Sequence, residues 1–138
     1  KVPPKLDDGT PFPTTFWLTC PMYNKKIGSL ESHGLIKELD KEIVNNPELK
    51  KQWESRQISY EQERDKLETK ESGPKASGGV GGATESIKCL HSHTADELST
   101  GENVIGKIVI ESIGGFNCEQ VCINPETIEK NKDWKIVW

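Results

Sequence analysis

The sequence has no apolar run long enough to cross a bilayer. Roughly 20 consecutive apolar residues are needed for a spanning helix. The longest apolar-rich stretch, Val104-Ile105-Gly106-Lys107-Ile108-Val109-Ile110, is short and broken by Lys107. There is also no hydrophobic segment at the start and no Asn-x-Ser/Thr acceptor, so nothing marks the chain as secreted. It begins at Lys1 rather than methionine, which fits either a removed leader or a trimmed fragment. The expected location is intracellular, either organellar (mitochondrion or plastid) or cytoplasmic. An excess of positive charge is missing too: 18 Lys and Arg face 22 Asp and Glu, for a net charge of −4. The balance is −1 before Ser72 and −3 after it. Neither half offers a phosphate-neutralising surface, which disfavours nucleic acid as a partner.

Core material is scarce. Apolar residues make up 33% of the 138 positions and charged residues 29%, enough for one domain with a modest core. The rest must be loop or solvated helix. No internal repeat is present.

The periodicity predicts a mainly α, small single domain. Residues 1–21 read as an extended arm, because Pro3, Pro4, Pro11, Pro13 and Pro21 forbid a helix interior and Asp8-Gly9 marks a turn. Within it Phe16-Trp17-Leu18 suits a short strand. Residues 24–70 read as a helical hairpin. A short helix stops at Gly34; Leu35, Ile36, Leu39, Ile43 and Val44 then form an amphipathic helix ending at Asn45-Asn46-Pro47. Asn46 caps a third helix with Pro47 at its first position, running to about Lys70. Its narrow stripe of Leu49, Trp53, Tyr60 and Leu67 suits either packing against the preceding helix or a partner helix.

Residues 72–84, with Gly78-Gly79-Val80-Gly81-Gly82, read as a flexible glycine-rich loop. No Gly-Lys-Ser/Thr follows, so a phosphate cradle is disfavoured. A helical pair over 85–115 is expected next. The first helix is capped by Thr84 or Ser86 and reaches Leu98, with Gly101 as its stop. The second runs from about Asn103 to Ile113 and breaks at Gly114-Gly115. Residues 116–138 form a cysteine-containing tail that ends in Trp134, Ile136, Val137 and Trp138.

Four cysteines without a secretory mark point to reduced thiols or metal ligands rather than disulfides; buried apolar roles compete for each one. The sharpest local feature is Lys88-Cys89-Leu90-His91-Ser92-His93, with Asp96 beyond. If the segment is helical throughout, Cys89 and His93 share a face with Asp96 and His91 points away. If the helix begins later, Cys89 and His91 reach one ion together. Thiolate with imidazole suits zinc or an iron–sulfur cluster. Cys118 and Cys122 form a C-x3-C pair. Joined with Cys89, with Cys20 and with His91 nearby, they would make a metal site stapling arm and tail to the helices. The rival is thiol chemistry at Cys20 or Cys89 with His91 or His93 as the acid–base partner. No Ser-His-Asp or paired-carboxylate arrangement is legible, and His33 beside Gly34 reads as a helix-end residue.

Three segments carry a family likeness. Asp8-Gly9-Thr10-Pro11-Phe12-Pro13-Thr14 leads into Phe16-Trp17-Leu18-Thr19-Cys20-Pro21, Ser29-Leu30-Glu31-Ser32 comes next, and Ile87-Lys88-Cys89-Leu90-His91 follows the glycine-rich loop. This resembles the bacterial family called domain of unknown function 501 over most of residues 7–113. The resemblance implies one compact domain and a shared site around Cys20, Cys89 and His91, and it supplies no reaction. Two departures stand out: members often carry a further cysteine before the arm, and a histidine in a more apolar helix where Asp96 stands here. The resulting expectation is an accessory or interaction subunit of a larger assembly with a cysteine-based metal site. Its partner surface would be the 49–67 helix and the Trp134/Trp138 tail. A thiol- or metal-dependent enzyme is the alternative, and whether the chain is an enzyme is left open.

Overall fold

The structure is a computed structural model that describes residues 1–67, 73–116 and 118–136. Among these residues it is mainly helical: five helices, one 3-10 turn and no strand. Helix α1 spans Pro21–Ser32, α2 Leu35–Asn45, α3 Pro47–Asp65, α4 Leu90–Thr100 and α5 Val104–Ile113, with the 3-10 turn at Val80–Gly82. No helix among the described residues is long and apolar enough to cross a membrane.

Local chemistry sets most of the boundaries. Pro21 and Pro47 occupy first turns, where a missing N–H costs nothing. The Asn46 side chain accepts from Leu49 N–H and starts α3, while Asn103 accepts from Gly106 N–H and starts α5. Gly101 and Gly114 close α4 and α5 in the left-handed conformation. Pro21 opens α1 instead of closing the arm, so the first helix starts three residues before Asn24.

The core gathers Ile27 from α1, Leu39 and Ile43 from α2, Leu49 and Trp53 from α3, Leu90 from α4, and Ile105 and Val109 from α5. Helices α4 and α5 make the closest pair. Gly106 permits this, because a Cβ there would collide with the His93 carbonyl oxygen and the Glu97 side chain.

Two expectations change on the third helix. Its buried positions are Leu49, Trp53, Arg56, Gln57, Tyr60 and Arg64, so the stripe continues in polar residues and faces its own chain. Leu67 lies beyond the helix and is exposed, as is Ile58 on the helix itself. Residues 68–70, where the helix was expected to end, lie outside the described residues.

The polar half of that stripe holds the glycine-rich segment, which is therefore seated and not the free loop its composition suggests. Gln57 accepts from Val80 N–H and donates to the Ala83 carbonyl. Glu61 accepts from Gly78 N–H. Arg64, fully buried, donates to the carbonyls of Gly78 and Ala76 at 2.5 and 3.2 Å. A Cβ on Gly79 would lie 2.6 Å from the Gln57 amide carbon, so glycine here makes room for the clamp rather than for motion.

The arm lies across this clamp. Tyr60 Oη accepts from Thr15 N–H at 2.7 Å, and the arm folds back on itself through Val2 N–H to the Thr15 carbonyl and Phe12 N–H to the Pro4 carbonyl. Phe16-Trp17-Leu18 forms no strand; the arm contributes only an isolated bridge between Lys5 and Pro11.

Candidate metal centre

Helix α4 begins at Leu90, later than a Thr84 or Ser86 cap would give, and Cys89 is its N-cap residue in extended conformation. The reason is a non-local cap. Glu31, in the last turn of α1, accepts from Leu90 N–H at 2.8 Å through Oε1, placing a carboxylate on the positive end of α4. One segment earlier, Asp40 of α2 accepts from Ile87 N–H at 2.8 Å. Residues 87–90 are thus held from two helices, and the Cys89 side chain makes no capping hydrogen bond.

This start decides the geometry at the cysteine. Glu31, Cys89 and His91 bring a carboxylate oxygen, Sγ and a ring nitrogen within 4.8 Å of one another. His91 Nδ1 lies 3.3 Å from Glu31 Oε1, and Nε2 lies 3.2 Å from the Asn24 carbonyl oxygen. All three side chains are half-buried. Cys89 and His91, with Lys88, line one side of a cleft of about 620 Å³ whose other wall is Phe12, Phe16, Trp17 and Leu18 of the arm.

The hydrogen bonding of His91 is frustrated for a neutral ring. A carbonyl and a carboxylate both accept only, while neutral imidazole has one donor nitrogen. Whichever nitrogen carries the proton, the other aims a lone pair at an oxygen. If Nε2–H donates to Asn24, the Nδ1 lone pair faces Glu31 Oε1, and a metal ion held between those two atoms would relieve the opposition.

His93 has the opposite environment. It is buried on the core side of α4, with Nδ1 3.0 Å from Asn103 Oδ1. Asn103 Oδ1 also accepts from Gly106 N–H, and its amide nitrogen donates to Asp96 at 2.8 Å. The His93 Nδ1 must therefore carry the proton, leaving Nε2 buried with no hydrogen-bond partner. Burial pushes this imidazole down from 6.5 to about 4, against the opposing pull of Asn103, Asp96 and Asp40.

Asp96, fully buried, belongs to the same core network. Arg56 grips both its oxygens, with Nε at 2.8 Å and Nη2 at 2.9 Å, and also reaches Glu63 and Glu102. Burial disfavours the guanidinium charge, yet the bonds to Asp96 and Glu63 outweigh it and hold the group firmly protonated.

Of the residues singled out in the sequence, Cys89 and His91 come together. Cys20, Cys118 and Cys122 join no group of three ligand atoms among the described residues, and all four cysteines are free thiols, with Cys118 exposed. No group of four cysteines gathers among the described residues, and the tail that carries Cys118 and Cys122 is bridged within itself between Ile123 and Lys130. Asp96 and His93 are spent on the core. The third member of the group that could hold a metal is Glu31, which the sequence alone does not single out. It stands in the Ser29-Leu30-Glu31-Ser32 string that carries part of the family likeness, so the signal was present.

A family model described as "Protein of unknown function (DUF501)" matches residues 2–111. No curated protein and no solved structure matches the chain.

Proposed function

The chain belongs to the DUF501 family, and we propose that it is a metal-dependent protein in which Glu31, Cys89 and His91 hold one zinc-class ion beside the aromatic cleft. The observation that carries this reading is the His91 ring, set between two acceptors with the Cys89 sulfur alongside. A zinc ion relieves the lone-pair conflict and leaves Nε2–H donating to the Asn24 carbonyl, a backbone partner of the kind that commonly orients metal-bound histidines. Ligand atoms around a tetrahedral zinc stand about 3.4–3.8 Å apart; the present separations, up to 4.8 Å, require a contraction of about 1.4 Å at most.

Three protein ligands leave one position open, the pattern of zinc sites that polarise a bound water or substrate, whereas structural sites are closed by four. The ion would supply a Lewis acid, and the protein supplies its orientation and the apolar wall. The thiol-enzyme alternative loses one of its two acid–base candidates, because His93 is sealed in the core and is not placed to take a proton from Cys89.

Zinc titration of the metal-free, reduced protein tests this. One equivalent should bind, and a cobalt-substituted sample should show a thiolate-to-cobalt charge-transfer band. Cys89→Ser and His91→Ala should abolish both signals, while the Cys20→Ser and Cys118→Ser/Cys122→Ser variants keep them. Undiminished binding in Cys89→Ser would remove the proposal.

A second reading, attachment to a protein partner, is favoured by the tail. Val121, Ile123, Ile128 and Ile136 are all exposed, Ile128 at 80%, and apolar exposure on this scale in a short segment suits an interface. Trp134 is half-buried, and Trp138 lies outside the described residues. If this reading holds, replacing Val121, Ile123 and Ile128 by Ser shifts the native protein from a larger assembly to free monomer on gel filtration. An unchanged elution position would count against it.

A further inference from the structure

The cleft beside the metal ligands has features that select what it can take. Phe12 and Trp17 stack nearly parallel, with ring centroids 6.0 Å apart and an interplanar angle of 19°. Trp17 nevertheless leaves 64% of its surface open. An indole stacked on one ring and otherwise bare is ready to accept a second ring, because aromatic faces gain from offset stacking beyond simple burial. The volume of about 620 Å³ matches one small organic molecule, such sites ranging over about 300–1,000 Å³.

The opposite wall sets the charge. A divalent ion is neutralised by the Glu31 carboxylate and a Cys89 thiolate, so the loaded centre is neutral. Lys88, exposed at the same cleft, then makes the local sum positive by one. A neutral or cationic ligand gains nothing from this wall, and a dianion is only half compensated.

We propose, resting on the metal reading above, that the cleft binds a planar aromatic monocarboxylate, with its ring laid on Trp17 and its carboxylate on the open metal position beside Lys88. Both ends are needed. The stack alone does not discriminate charge, and the metal with Lys88 alone does not discriminate acetate from an aryl acid. The arm is thereby more than a strap across α3: it carries the specificity wall, while α1 and α4 carry the ion.

The test uses zinc-loaded full-length chain and two probes, 2-naphthoate and acetate, measured by calorimetry with cobalt absorption as a second readout. Naphthoate should bind at least tenfold more tightly than acetate. Trp17→Ala should cut that preference by about tenfold, the scale of one aromatic stack, while zinc affinity stays unchanged. Lys88→Gln should weaken both acids by a similar factor. Equal binding of the two acids by zinc-loaded protein, or an unchanged preference in Trp17→Ala, overturns the ligand assignment and leaves the metal reading standing. Failure to bind zinc overturns both, and is read in the titration before any acid is added. Because Trp17 is mostly exposed, its removal should not unfold the chain, and an unchanged zinc stoichiometry in the variant verifies that.

Discussion

Acid should destabilise this fold through a single buried ring. In the unfolded chain His93 titrates near its ordinary 6.5, whereas in the fold burial holds it at about 4. Between those values the unfolded state binds a proton that the folded state refuses. Stability must then fall as pH falls, by about 1.4 kcal/mol per pH unit at the steepest. The His93 contribution is fully present above pH 6.5 and is lost as pH drops toward 4. Across the window it amounts to about 3 kcal/mol, a large part of the roughly 5–15 kcal/mol that holds a domain together. The cause is specific: Nδ1–H is committed to Asn103, and a proton on Nε2 would be buried without an acceptor.

Urea unfolding of the wild type and of His93→Asn, from pH 7.5 down to 4, measures the effect. The asparagine amide can still donate to Asn103 but does not titrate. It leaves a cavity, so the variant starts less stable at neutral pH. The two stability curves should converge by about 3 kcal/mol on acidification; curves that stay parallel across the window would refute the argument. Ring-carbon shifts in NMR give an independent reading, since one of the three imidazoles should stay neutral until about pH 4.

Other perturbations follow from the same core. Arg56→Met removes the partner of fully buried Asp96 and should cost about 3–5 kcal/mol by chemical denaturation. A loss under 1 kcal/mol would mean that Asn103 alone satisfies the carboxylate. The cost of Arg56→Met should shrink in acid, because Arg56 also depresses the Glu63 pKa below 4.5. That contribution is present above 4.5 and disappears as pH falls through the lowered value. Gly106→Ala should be destabilising by more than a surface glycine substitution such as Gly28→Ala, whose Cβ meets nothing within 4 Å. Thermal melts compare the two directly, and equal melting points would show that α4 and α5 can separate at little cost.

What could be read along the chain was what the chain decides locally. Gly34, Asn46-Pro47, Asn103 and Gly114 set their helix ends through their own backbone and side-chain chemistry, and each expected boundary there agrees with the structure to within a residue or so. The start of α4 was misjudged for the converse reason. Thr84 and Ser86 are good local caps, but the cap in use is a carboxylate 59 residues away in sequence. The glycine-rich segment misled for a related reason. Gln57, Glu61 and Arg64, at i, i+4 and i+7, look like a solvated face until a backbone is laid on them. In a chain with so few apolar residues, polar side chains that clamp backbone replace part of the missing hydrocarbon, and no hydropathy pattern distinguishes a buried clamp from a wet surface. Two of the three residues of the candidate site, Cys89 and His91, are legible in the sequence; Glu31 is hidden among many exposed acids.

The first turns of α4 join the two halves of the molecule's chemistry. Cys89 and His91 face the cleft, while His93 and Asp96, a few residues on, are buried and tied to Asn103 and Arg56. An 11-residue helix cannot rotate to improve one face without breaking the other. The buried network therefore fixes the rotation of α4, and with it the position of the Cys89–His91 pair relative to Glu31. Helix α4 must also stay close to α5, which Gly106 allows, or Asn103 would lose His93. Burying an arginine and an aspartate in a small core is costly in desolvation, and a hydrocarbon pair of similar volume often does as well for stability alone. What a hydrocarbon pair lacks is direction. The bidentate grip of Arg56 on Asp96 admits one rotation of α4, and a metal held between Glu31, Cys89 and His91, as proposed, would need that one rotation.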